Sequence, residues 1–82
     1  MSKDFYFRGQ PYIMVMLGLE NGATAFYWVP RPLCERAAKI AAAQGLPEAT
    51  PQQMARYLAL SHAKAEGKRL DPGLKELAEC VP

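Results

Sequence analysis

The residues that could do chemistry in this 82-residue chain are few and widely separated: one histidine, His62, and two cysteines, Cys34 and Cys80. General acid–base work or metal binding by His62 needs a companion at hydrogen-bond or ligand distance. At helical spacing its neighbours are Leu58, Ala59, Ala65 and Glu66, and only Glu66 can pair with it, as a surface ion pair. The cysteines form no C-x-x-C spacing, so they read as reduced, buried thiols, with a Cys34–Cys80 bridge as the lesser alternative. A Cys34–His62 nucleophile pair would exist only if the fold brought the two together. No paired-carboxylate motif, phosphate-cradling glycine loop or G-x-S-x-G elbow occurs. The expectation is a chain with no catalytic residues, no metal, no cofactor and no small-molecule substrate.

Charge offers a second kind of chemistry. Ten Lys and Arg against eight Asp and Glu leave a net charge of +2, too small to demand a nucleic-acid or membrane-surface partner. The basic excess lies between residues 34 and 69, and the end of the chain is acidic. Arg36, Lys39, Arg56, Lys64 and Lys68 are therefore the candidates for a nucleic-acid-binding helix surface, the alternative function. Arg8 to Val15 brushes against an aromatic RNA-recognition strand pattern, but Gln10 and Pro11 stand where an aromatic and a small residue are required. No cationic start with an apolar run and cleavage site is visible, and no apolar stretch nears the roughly 18–20 residues that span a bilayer. A cytoplasmic setting without membrane contact is expected.

The elements that must position these residues divide the chain in order. Asp4 to Arg8, Pro11 to Glu20 and Ala23 to Val29 read as strands, separated by turns at Gly9-Gln10 and Asn21-Gly22. Pro30 and Pro32 end the sheet. A first helix runs from about Pro32 to Gln44, with an apolar face of Leu33, Ala37, Ile40 and Ala41, Cys34 on its flank and an exposed Glu35–Lys39 pair. Thr50, Pro51 and Gln53 announce a second helix to about Glu66, whose stripe of Met54, Tyr57, Leu58, Ser61 and Ala65 should face the sheet. A last helix starts at Asp71-Pro72 and buries Leu74, Leu77, Ala78 and Val81. The fold class is α+β, βββααα: a three-stranded antiparallel meander followed by three helices packed on one sheet face, a single domain spanning residues 1–82.

The turns set the register and the register sets the faces. A two-residue turn at Asn21-Gly22 places Leu17 opposite Phe26, Val15 opposite Trp28 and Leu19 opposite Thr24, a face that also receives Ile13 and Tyr6. The opposite face collects Phe5, Phe7, Tyr12, Met14, Met16 and Tyr27, with Gly18, Ala25 and Val29. A sheet solvated on one side should alternate apolar and polar residues, and this one does not. Three short helices cannot easily cover both faces. The Met/aromatic face is either closed by a helix or chain end of its own, or left for a second subunit or another protein. The expected function is a non-enzymatic interaction module, a homodimer or a domain docking on a partner. A small accessory or inhibitory factor, such as phages and other mobile elements encode, would fit that size.

Overall fold

A computed structural model describes residues 4–79. Cys80 and Val81, and with them the pairing of Cys80, lie outside the described residues. Strands β1 (Asp4–Phe7), β2 (Gln10–Gly18) and β3 (Thr24–Pro30) form an antiparallel sheet in the order β1-β2-β3. Helices α1 (Arg31–Ala43), α2 (Pro51–Ala65) and α3 (Pro72–Glu79) follow, giving the expected α+β order. No helix among the described residues is long and apolar enough to cross a membrane.

Both turns differ from their sequence readings, with unequal consequences. At the first, Arg8 (φ 53°) and Gly9 (φ 79°) are the two central residues, between Phe7 and Gln10. Two successive positive φ values are the signature of a type I′ turn, whose twist matches the strands. The ladder is displaced by two residues from the Gly9-Gln10 reading, which leaves every side chain on its expected face. At the second turn Asn21 keeps a negative φ, and only Gly22 (φ 86°) is left-handed. The Gly22 N–H donates to Leu19 O at 3.0 Å and the Leu19 N–H donates to Ala23 O at 2.8 Å. Asn21 Oδ1 accepts the Ala23 N–H at 3.0 Å. This is a three-residue loop, a turn closed by a left-handed glycine.

That extra loop residue shifts the β2–β3 ladder by one. Leu17 pairs with Ala25, Val15 with Tyr27, Ile13 with Val29, Met16 with Phe26 and Met14 with Trp28. A one-residue slip moves an entire strand's side chains to the other face. Tyr27, Ala25 and Val29 therefore lie on the helix-covered face, and Phe26, Trp28 and Thr24 on the opposite one, correcting the expected assignment of β3.

The core lies between the sheet and the helices. Ile13, Val15, Leu17 and Val29 form its sheet side, and Cys34, Ala55, Ala59, Leu60, Ala63, Leu70, Leu74 and Ala78 supply the rest. The helix faces are rotated from their expected positions. On α1 the buried residue is Cys34, while Leu33 and Ile40 are exposed. On α2 the buried stripe is Ala55, Ala59 and Ala63, with Leu60 beside it; Met54 and Leu58 pack partly, and Tyr57 and Ala65 are exposed. Leu77 of α3 is exposed as well. Helices that pack on a narrow sheet and on each other at once leave little room between them, and Ala and Cys fill it without forcing the layers apart. The ion pair on α1 is between half-buried Arg31 and exposed Glu35 at 3.4 Å, in place of Glu35–Lys39.

The helix ends follow local chemistry. Thr50 Oγ1 accepts the Gln53 N–H at 3.2 Å, and Gln53 Oε1 accepts the Thr50 N–H at 2.9 Å, a complete capping box. Asp71 Oδ1 accepts the Leu74 N–H at 2.9 Å at the start of α3. Residues 69–71 also bond to the end of β2 and the loop after it: the Asp71 N–H donates to Gly18 O at 3.1 Å, and the Glu20 N–H donates to Arg69 O at 3.0 Å. A Cβ on Gly18 would sit 2.7 Å from Asp71 Oδ2, so any other residue there must displace the Asp71 carboxylate.

Candidate functional site

Alternation along β2 builds the site. Odd residues Ile13, Val15 and Leu17 enter the core, so even residues Tyr12, Met14 and Met16 point out of the opposite face. Pairing carries Phe5 and Phe7 of β1, and Phe26 and Trp28 of β3, onto that same side. Six large apolar side chains are thus exposed together: Phe5, Phe7, Met14, Met16, Phe26 and Trp28, the most open being Met16 at 57% and Phe26 at 55%. The remaining strand positions on this side are Gln10, Tyr12, Gly18, Thr24 and Pro30, so none carries a charge. Tyr6, 65% exposed, lies on the other side of β1.

The face is not flat. Phe5 and Trp28 come from opposite edges of the sheet, yet their rings meet over the central strand with centroids 4.7 Å apart. With Phe7 and Tyr12 they wall an apolar depression of about 390 Å³. The Arg8 guanidinium lies 5.2 Å from the Phe7 ring centroid at its rim, a cation–π distance.

Five of the six residues expected on this surface are there: Phe5, Phe7, Tyr12, Met14 and Met16. Tyr27 is not. It sits on the helix side, where its hydroxyl donates to Glu66 Oε1 at 3.0 Å and its ring meets His62 edge-on at 5.6 Å. Burial, then the Glu66 hydrogen bond and charge, push the Tyr27 pKa up. The two-residue turn read from Asn21-Gly22 places Trp28 and Phe26 on the covered side, whereas the three-residue loop makes them central to the open face.

The chemistry-bearing residues end in different environments. Cys34 is a free thiol, fully buried in the core, and burial pushes its pKa up against the opposing pull of Arg31. A buried thiol of raised pKa is a poor nucleophile. His62 is exposed and pairs with Glu66 at 3.6 Å. Among the described residues, no group of three or more His, Cys, Asp and Glu is placed to hold a metal ion.

The basic candidates are only partly gathered. Lys64 and Lys68, with Arg69 and Lys75, line a groove of about 460 Å³ that Glu20 and Glu79 also enter. Within it Lys64 Nζ donates to Ala78 O at 3.2 Å, and Arg69 pairs with Glu20 at 3.5 Å. Arg36, Lys39 and Arg56 are exposed but do not line this groove. Comparison with protein-family models, curated proteins and solved structures gives no match.

Proposed function

We propose that this chain is a non-enzymatic protein-interaction module that docks through its open sheet face. One observation carries the reading: six large apolar side chains stand exposed on one face of the sheet whose strand positions carry no charge, and three of them wall a formed apolar depression. Scattered apolar residues on a surface are ordinary, whereas a contiguous apolar patch usually marks an interaction site. Methionine and aromatic residues are the side chains enriched where proteins meet. A small accessory or inhibitory factor needs no more than such a surface, and the free thiol at Cys34 suits a reducing, cytoplasmic setting.

The test is a pair of charge substitutions at two exposed sites. Met16→Glu on the open face should abolish association, whether self-association by light scattering or binding to a captured partner rebuilt from purified components. Lys39→Glu on α1 should leave it intact. If both variants bind like the wild type, the open face is not the docking surface.

A second reading, a DNA- or RNA-binding regulator, draws on the groove that brings Lys64 and Lys68 together with Arg69 and Lys75. It requires binding to a labelled oligonucleotide that weakens steeply with salt and with Lys64→Ala. Affinity that is flat from 50 to about 200 mM salt would sink it.

A further inference from the structure

We infer that the occupant of the open face is a second copy of this chain, related by a two-fold axis, with Met16 of each copy seated in the other's Phe5, Phe7, Tyr12 and Trp28 depression. This rests on the open face being a docking surface and names what docks there.

Area is the first argument. An aromatic side chain carries roughly 150–250 Å², so six large side chains near half exposure present on the order of 600 Å². Two such faces together bury about 1,200 Å², the lower bound for a specific, stable interface. A short peptide strand laid on the face would leave much of it open.

Charge is the second. The strand positions of this face carry no charge and Arg8 at its rim is the cation beside them, so a charged partner finds little to pair with and the nearest complement is another apolar face. Two sheets packed this way sit about 10 Å apart with interleaved side chains.

Geometry is the third, and it selects the two-fold. Met16, the most exposed large side chain of the face at 57%, stands toward one end, and the depression around Tyr12 toward the other. They lie on the same strand four residues apart, about 13 Å at strand rise, with Met14 midway. A two-fold axis between the sheets, across the strands and beside Met14, carries Met16 over the second copy's Tyr12 and the second copy's Met16 over Tyr12. Both projections and both depressions are then used at once, and the assembly closes as a dimer. Methionine is suited to the seat, being unbranched and able to place its sulfur against ring edges.

Sedimentation equilibrium tests this directly, with circular dichroism confirming that each variant is folded. The wild type should sediment at twice 9.1 kDa. Met16→Ala and Trp28→Ala should each weaken association roughly 30-fold or more, as loss of a central interface side chain does. Phe7→Ala replaces Trp28→Ala should the latter unfold. Mixing Met16→Ala with Trp28→Ala leaves one intact Met16 contact in the mixed dimer, which should therefore form about tenfold more tightly than either variant with itself. No gain on mixing overturns the Met16 seat. A wild-type monomer at about 1 mM overturns the second copy; if it still binds another protein in a Met16-dependent way, the docking face stands. A dimer indifferent to both variants overturns the second copy on this face, and the docking face falls with it only if Met16→Glu also leaves binding to every other partner unchanged.

Discussion

Residues 13–17 alternate between two environments that differ in more than exposure. Ile13, Val15 and Leu17 are 3%, 7% and 0% exposed and pack against helices rich in alanine. Met14 and Met16, on the same strand, are 39% and 57% exposed among aromatic rings. Branched side chains with few rotamers specify one packing arrangement, whereas methionine and half-open rings adapt to what meets them. The covered face holds the chain together, and the open face is free to serve contact. Substitutions on the two faces should therefore separate stability from association.

The largest effect belongs to the covered face. Leu17→Ala should cost about 2–5 kcal/mol in urea unfolding, a large part of the whole stability of a domain this size. Met16→Ala, one residue away, should change the monomer's unfolding free energy by less than about 0.5 kcal/mol, measured at dilutions where association is absent. Equal losses at the two positions would erase the distinction between the faces.

Next is the helix layer over the covered face. Ala59→Leu places three more carbons into a site 1% exposed and should destabilise by about 1–3 kcal/mol, whereas Ile40→Ala, at an exposed position of α1, should change little. Smaller again is Gly18→Ala. Its Cβ would drive the Asp71 carboxylate from the cap of α3, costing on the order of 1 kcal/mol and lowering the amide exchange protection of Leu74.

The smallest effect is alkaline. The Cys34 and Tyr27 pKa values are raised from their ordinary 9.0 and 10.0. Below 9.0 both groups are protonated in the folded and unfolded chain alike. As pH rises further the unfolded chain releases each proton first, so stability is full below that pH and declines above it. Thermal midpoints across the alkaline range should fall, and Cys34→Ala should flatten the first part of the decline.

How much was legible in the sequence follows from which signals are local. The helix starts at Thr50-Pro51-Gln53 and Asp71-Pro72 are read from side chains within one turn, and both stand where expected. The element order needed no more than turn residues and prolines. The Asn21-Gly22 pair is different, because it serves a two-residue turn with both φ positive and a three-residue loop with only the glycine left-handed. Asn21 Oδ1 takes the Ala23 N–H, a bond compatible with the longer loop, and that single residue put Phe26 and Trp28 on the open face in place of Tyr27. The first hairpin was displaced too, but by two residues, which is silent for faces. The helix rotations had another cause. Leu33 and Ile40 carry the stronger hydrophobic signal on α1, yet the space between the layers admits Cys34 and leaves them exposed.

Trp28 is the chain's single tryptophan and stands on the open face against Phe5. Its fluorescence therefore reports whether that face is covered. In the wild type at high concentration the emission should be blue-shifted and shielded from acrylamide. It should move to longer wavelength on dilution, toward the spectrum that Met16→Glu shows at every concentration. Emission that stays fixed through dilution and matches Met16→Glu throughout would contradict burial of the open face against a second copy.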